Sequence, residues 1–411
     1  MYSIYNILVL LGEFLLKIGS LFNPKLRLFI EGRKNTIPLL KSALKESDKT
    51  IWMHCASLGE FEQGRPIFEK LKEQHPSKKM VLSFFSPSGY EIRKNYELAD
   101  VVCYLPIDSK NKVDEFLEFV QPQIAIIVKY EFWPNLLKGL QKKGIKTVLI
   151  SGIFREKQSF FKWYGGWMRK ALGAFDHFFV QDKKSKTLLN SIGFTNASLS
   201  GDTRFDRVYE LTQQHNYLDF VEEFKNGKQL LVAGSTWKDD ENVLIDFINT
   251  EASNQEKFII APHNINNKDI ENLKSAIHKK VVLFSEMENE NLNEYQVLIL
   301  DTIGILTKVY SEADLAYVGG GYTKTGVHNV LEPATFGIPI IIGPNYHKFN
   351  EVKELIALKA CIIVDNSQKL SVILEQLFTS KTKRKEIGVV ALDYIDKKRG
   401  ATEMILNYLK A

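Results

Sequence analysis

Apolar positions along this chain fall into short blocks, and polar or amphipathic stretches separate the blocks. Residues 50–53 (TIWM), 79–85 (KMVLSFF), 101–106 (VVCYLP), 123–128 (QIAIIV), 146–151 (KTVLIS) and 177–182 (HFFVQD) each predict a buried strand. KVDEFLEFV and PNLLKGLQKKG, lying between them, have helical spacing. A second series follows: QLLVAGS (229–235), KFIIAPH (257–263), KVVLF (280–284), QVLILD (296–301), LAYVGG (315–320) and IPIIIGP (338–344). Apolar strands alternating with helices predict parallel sheets covered on both faces. The polar stretch between the two series predicts a hinge at 211–228. The expected organisation is a helix with a basic flank at 1–34, a Rossmann-like domain at 35–210, the hinge, a second Rossmann-like domain at 229–385, and helices at 386–411 that pack back across the domains. The fold class is α/β, with two doubly wound domains facing a central cleft. Ligands of such sheets bind outside the carboxyl ends of the strands.

Tyr2 to Phe22 is mostly apolar and about as long as a bilayer span. It lacks a basic leader and a small-residue cleavage site, so a removable signal is not expected. Ser3, Asn6, Glu13, Lys17 and Ser20 recur at spacings that put them in one narrow stripe of a helix. Lys25, Arg27, Arg33 and Lys34 follow as a basic flank suited to anionic headgroups. The segment predicts a helix lying in the membrane interface with its stripe turned to water. The alternative is a first helix packed on the body of the protein.

Composition narrows the class. The 411 residues are 45% apolar and 25% charged, as in an ordinary globular protein, with a formal net charge of +5. That charge is mild for the size, and no nucleic-acid-binding signature appears. Three scattered cysteines, Cys55, Cys103 and Cys361, form neither a disulfide framework nor a zinc spacing. A reducing, cytoplasmic setting follows.

The candidate chemistry sits where predicted strands end. In HCASLGEFEQG a strand runs through Ser57 into a helix whose first turn carries Glu60. Glu60 reads either as a carboxylate complementing the helix dipole or as a general base. VKYEFWPN brings a second strand-end carboxylate, Glu131. Arg204 in GDTRFDR can reach an anion, or pair with Asp202 or Asp206. Residues 152–170 mix Arg155, Lys162 and Arg169 with six aromatics, as a lipid-facing surface or a solvated amphipathic helix does. In the second series, YVGGGYTKTGVHNVLEPATFGIPIIIGP (317–344) runs from a strand into Gly319-Gly320-Gly321, then through His328-Asn329 into a helix expected from about Asn329. Glycines let backbone N–H groups approach a phosphate. Glu332 reads as a ribose ligand or as half of a capping box with Asn329. Ser235, Thr236, His263 and Gly304 end neighbouring strands and can join the same nucleotide site.

HCASLGE, YEFWPN, GDTRFD, AGSTW and the 317–344 segment resemble, in order, motifs of the bacterial lipid A Kdo (3-deoxy-D-manno-octulosonic acid) transferases. The resemblance covers nearly the whole chain. It implies a GT-B glycosyltransferase that uses CMP-Kdo as donor and a lipid A precursor such as lipid IV-A as acceptor. The setting it implies is the cytoplasmic side of the bacterial inner membrane, in lipopolysaccharide core synthesis. Glu60 matches the family's proton acceptor. Asn329-Val330-Leu331-Glu332, Pro262-His263 and Gly304-Ile305-Leu306 match its CMP-binding segments. The family usually has Arg where His263 stands and Glu where Ile305 stands, so nucleotide contacts there are expected through backbone groups. No DxD-like pair accompanies the glycine loop, and metal-independent transfer without a cofactor is expected. The rival readings are a GT-B enzyme or epimerase acting on a UDP-sugar, and a two-domain binding protein without chemistry.

Overall fold

The computed structural model describes residues 1–410. The chain divides into two compact units: Met1–Arg207 with the C-terminal stretch from Arg399, and Val208–Lys398.

The first unit opens with α1 (Tyr2–Gly19), α2 (Pro24–Lys34) and α3 (Thr36–Ala43). Strands and helices then alternate: β1 (Thr50–Cys55), α4 (Leu58–Gln74), β2 (Lys79–Phe84), α5 (Pro87–Arg93), β3 (Val101–Tyr104), α6 (Lys110–Val120), β4 (Pro122–Val128), α7 (Pro134–Lys142) and β5 (Lys146–Gly152), followed by β6 (His177–Val180) and β7 (Ala197–Leu199). The sheet is parallel, in the order β3-β2-β1-β4-β5-β6-β7. Strand order reverses direction between β1 and β4, where a doubly wound sheet opens its binding crevice. β1 is buried on both faces, as its unbroken apolar run requires. Trp52 packs with Phe116 and Leu136 on one side of the sheet. Met53 and Phe61 pack on the other, joined by Ile405, Leu406 and Leu409 of the helix Ala401–Lys410.

The second unit carries β8 (Gln229–Thr236), β9 (Glu256–Pro262), β10 (Val281–Leu283), β11 (Val297–Ile299), β12 (Leu315–Val318), β13 (Ile340–Ile342) and β14 (Cys361–Ile363). These are also all parallel, in the order β10-β11-β9-β8-β12-β13-β14, with the reversal between β8 and β12. Part of the expected hinge, Asp219–Lys225, is helical, and its Val221 and Phe224 are buried in this unit's core.

Three local features differ from the sequence expectations. β7 and β14 were not anticipated: each is an edge strand with only its first residue buried. Residues 152–170 do not form one helix. Two 3₁₀ turns, Ser159–Phe161 and Trp163–Gly165, precede a short helix at Gly166–Leu172, because paired glycines interrupt the run. In α1 the middle of the stripe, Asn6 and Glu13, meets protein, while Ser3 and Lys17 stay exposed. The Tyr5 hydroxyl donates to Asp108 at 2.7 Å, Tyr2 bonds Asn135, and the Asn135 amide donates to Asn6 at 2.9 Å. Glu13 is buried between Lys17 (2.8 Å) and Lys112 (2.6 Å). The apolar face is outward instead, with Ile7, Leu11, Phe14 and Leu15 all more than half exposed.

Candidate active site

The reversal in the first sheet brings together the loops that follow β1 and β4, and both candidate carboxylates stand there. α4 begins at Leu58, with Ser57 at its N-cap, so Glu60 falls in the first turn and is buried. Its Oε2 accepts the Ala56 N–H, folding the carboxylate back over the mouth of its own strand. Glu131 follows β4 after Lys129, whose backbone is left-handed (φ +68°). That conformation is costly for a side-chain-bearing residue and recurs at the end of β5 in Ser151 (φ +52°).

Glu131 Oε2 accepts from the Trp133 indole (2.7 Å) and from His54 Nε2 (3.1 Å). His54 Nδ1 in turn meets the Ser83 hydroxyl at 2.9 Å, and that oxygen accepts the Trp52 indole N–H at 2.8 Å. His54 Nδ1 also lies 3.1 Å from the Ser83 carbonyl oxygen, so the ring is held at both nitrogens. The two carboxylates are pushed apart in proton affinity. Burial first, then the Glu131 charge, raises Glu60 above the ordinary range. Burial would raise Glu131 too, but the His54 imidazole and the Trp133 N–H hold it below that range. An ionised Glu131 beside a Glu60 of raised proton affinity is an arrangement that can take up a proton. His54, Ser83 and Trp133 were missed as participants. His54 and Trp133 stand inside the quoted motifs, but only the alignment of β1, β2 and β4 reveals their contacts.

Arg204 is engaged by Asp202 through Nη2 (2.8 Å) and Nε (2.9 Å), the ion pair that its neighbours allowed. Arg155 lies over the Tyr130 ring and donates to its hydroxyl at 3.1 Å. Arg169 donates to the Phe160 carbonyl, and Trp163, next to Lys162, is 91% exposed. Tyr130, which Arg155 covers, in turn feels the Glu60 charge.

In the second unit the reversal between β8 and β12 assembles another set of strand ends. A bulge at Ser235 (φ +54°) shifts the register between β8 and β9 and sets Thr236 beside Pro262. Trp237 follows, and its indole donates to His328 Nε2 at 2.9 Å. His263 stacks on both rings, with centroids 4.7 Å from Trp237 and 4.5 Å from His328. Burial and the neighbouring His263 push the His328 imidazole down to about 4, so it stands neutral as an acceptor. Asp240, fully buried, ties this layer together. It accepts from the Trp237 N–H (3.0 Å), the Gly320 N–H (2.8 Å) and the Tyr317 hydroxyl (2.9 Å). Neither Trp237 nor Asp240 was singled out from sequence, because an acidic residue in a helix's first turn has no distinguishing pattern.

Two of the three N–H groups of the glycine run have partners within the protein. The Gly319 N–H donates to the Gly234 carbonyl and the Gly320 N–H to Asp240. A Cβ on Gly321 would lie 2.5 Å from the Gly343 nitrogen. Close backbone packing between strand ends requires glycine at these positions. The following helix is Leu331–Thr335, five residues with Val330 at its N-cap, and begins later than expected. Asn329 accepts the Leu331 N–H (3.1 Å) and donates to Glu332 Oε1 (2.9 Å), while Thr307 donates to Glu332 Oε2 (2.8 Å). This is a side-chain clamp rather than a reciprocal capping box. Gly304 (φ +102°) is exposed, and Ile305 and Leu306 turn their side chains toward the core. That leaves the backbone as what this segment can offer a ligand. Among the described residues no cluster of three or more His, Cys, Asp or Glu side chains is arranged to hold a metal ion.

Comparison with known proteins places these features in a family context. Residues 31–207 match the family model described as 3-deoxy-D-manno-octulosonic-acid transferase (kdotransferase). The chain is 28% identical over 360 residues to a 3-deoxy-D-manno-octulosonic acid transferase of Aquifex aeolicus, covering 85% of this chain and 91% of that protein. It is 26% identical over 381 residues to the Haemophilus influenzae transferase of the same name, covering 88% and 86%. A bifunctional glycosyltransferase/methyltransferase of Fusobacterium nucleatum is 25% identical over 387 residues, and the chain spans 59% of its length. The chain thus resembles Kdo transferases along most of its length. Among solved structures, it is similar to a putative UDP-N-acetylglucosamine 2-epimerase from Listeria monocytogenes (TM-score 0.59, 12% identity, 89% of this chain and 96% of that one). It is also similar to Acinetobacter baumannii MurG (TM-score 0.53, 12% identity, 88% and 99%). Those two likenesses are of fold, and the fold is of the GT-B type.

Proposed function

We propose that this protein transfers Kdo from CMP-Kdo to a lipid A precursor such as lipid IV-A, with Glu60 as the general base. The observation that carries the reading is the pair of buried carboxylates, Glu60 and Glu131, at the reversal of the first sheet, inside the segment that matches the kdotransferase model. In the step envisaged, Glu60 removes the proton of the acceptor hydroxyl. The hydroxyl oxygen then bonds to the Kdo anomeric carbon, and the bond from that carbon to the CMP phosphate oxygen breaks. Glu131 stays ionised and keeps Glu60 basic. CMP leaves as an anion, with its nucleoside assigned to the layer around Glu332, Gly304, Pro262 and His263, and its phosphate to Ser235 and Thr236. The first unit is then the acceptor domain and the second the donor domain.

Attachment to the cytoplasmic leaflet of the inner membrane belongs to the same proposal. α1 is long and apolar enough to cross a membrane by length and composition. Its polar side is bonded to Asp108, Asn135 and Lys112, however, and a docked α1 offers a bilayer only its outward apolar face. A helix held this way lies on the membrane rather than through it. The test is purified full-length protein incubated with CMP-Kdo and lipid IV-A, with the lipid read by mass spectrometry. Appearance of the Kdo adduct with stoichiometric CMP release is expected. An unmodified lipid together with tighter binding of UDP than of CMP would replace the reading with a UDP-sugar enzyme.

A further inference from the structure

A cavity of about 310 Å³ opens on the first unit beside α1. Its apolar walls are Ile30 of α2, Ile37 of α3, and Pro106 and Ile107 from the turn after β3. Four cations line it, Lys17, Arg33, Lys34 and Lys112, against two carboxylates, Glu13 and Glu115. Glu13 is already neutralised by Lys17 and Lys112, and Glu115 is exposed.

Arg33 is the unusual member. Its guanidinium sits 3.5 Å from the Phe29 ring centroid and within about 5 Å of those of Phe85 and Tyr104. Nη1 donates to the Phe29 carbonyl (2.9 Å) and Nη2 to the Phe85 carbonyl (2.6 Å), while Nε is buried without a partner. Among the described residues no carboxylate lies within ion-pair distance of it. Burial pushes its pKa down to about 9. Carbonyls and rings satisfy donors but do not cancel a charge, so a desolvated cation of this kind gains from an anion placed beside it.

The apolar walls and the neighbouring surface limit what that anion is. Phe14 and Ile18 on α1 flank Glu13 and Lys17 and are exposed, which brings the rim of the cavity to the face that a bilayer would meet. An inorganic ion would leave the apolar walls unused, whereas an amphiphile uses both halves. We propose that this cavity binds the phosphate headgroup and first methylenes of a membrane lipid, with Arg33 and Lys34 on the phosphate and Ile30, Ile37 and Ile107 on the chain. The site does not depend on the transfer reaction. It is nonetheless connected to it: Arg33 holds the Phe85 carbonyl, the Phe85 ring stacks on Trp133 (4.9 Å), and Trp133 donates to Glu131.

The test is calorimetric titration of the full-length protein with n-dodecyl phosphate below its micelle concentration, in parallel with dodecyl maltoside and with inorganic phosphate. Dodecyl phosphate is expected to bind at least tenfold more tightly than either. Arg33→Met, which removes the cation and keeps an apolar stem, and Ile107→Trp, which fills the cavity, should each weaken it at least tenfold. If melting curves show that Arg33→Met does not fold, Lys34→Ala with Ile107→Trp decides. Wild-type affinity in the folded variants would put the amphiphile on the outer face of α1 and overturn the site. Equal binding of dodecyl maltoside would overturn phosphate recognition, and equal binding of inorganic phosphate would overturn the lipid.

Discussion

Glu60 and Glu131 are the same functional group in one sheet mouth, and their neighbours alone separate them. Glu60 has one backbone N–H and a buried position, and Glu131 has an imidazole, an indole and a share in a row that runs back to Trp52. A general base must be ionised to act, so the rate should fall as pH falls through the raised Glu60 value. That acid limb is expected above the ordinary glutamate range. Glu60→Gln should lower turnover by about 10²–10⁴. Glu131→Gln removes the like charge, the second cause of the shift after burial, and the limb of its residual activity should move to lower pH without reaching the ordinary value. A limb that stays in place would mean that Glu131 does not tune Glu60. His328 gives a second pH signature, in stability. Its value of about 4 in the fold lies below the ordinary 6.5, so between these limits the unfolded chain binds more protons. Stability should therefore be full above pH 6.5, fall as pH drops toward 4, and level off below. His328→Gln keeps an acceptor for Trp237 but cannot be protonated, and should flatten that slope. Part of the slope remains, because burial displaces His263 in the same direction. Chemical denaturation across this pH range reads it, and an unchanged slope would remove His328 as its source.

At the scale of elements, the segment Gly319–Glu332 shows how a motif is legible in sequence while its reason is not. The pattern falls where β12 borders the reversal of the second sheet. What it does not show is that Gly319 and Gly320 use their N–H groups internally, and that the helix after Asn329 is a single short turn. The strands were legible because buried parallel strands are unbroken apolar runs, whereas β7 and β14 are edge strands with only their first residue buried. The α1 stripe was legible as a stripe, but sequence periodicity does not say whether water or protein covers it. Asp108 and Asn135, more than a hundred residues away, decide that. The Glu332 clamp is open to a direct test. Glu332→Ala should weaken CMP binding by about 1–3 kcal/mol through lost hydrogen bonds to the ribose. Thr307→Val removes only the protein partner on Oε2, so it should lower the melting temperature and leave CMP affinity unchanged. Normal CMP binding by Glu332→Ala would reduce the residue to a structural clamp.

For the whole molecule, the separation into two units with their own sheets and cores implies that damage to one leaves the chemistry of the other intact. α1 provides the case. It contributes no strand and little core, yet it supplies the Tyr5 hydroxyl to Asp108 and the salt bridge from Glu13 to Lys112. Asp108 is buried and also accepts the backbone N–H groups of Asn135 and Leu136 at the start of α7. Burial raises its pKa to about 6. A chain lacking residues 1–22 uncovers this carboxylate and loses its Tyr5 partner. Each lost hydrogen bond to a charged group is worth about 1.5–3 kcal/mol, and the water that replaces Tyr5 returns part of that. The first unit should therefore unfold at a lower temperature, while the second keeps its own transition and its CMP affinity. Vesicle binding should drop sharply, because the outward Ile7, Leu11 and Phe14 go with the helix. Any remainder, carried by Arg155, Lys162 and Arg169, should disappear at high salt. Scanning calorimetry with and without CMP reads both transitions: CMP should raise only that of the second unit in the truncated chain. A truncated chain that melts like the full one and still floats with vesicles would remove α1 both as a brace of the first unit and as its attachment to the membrane.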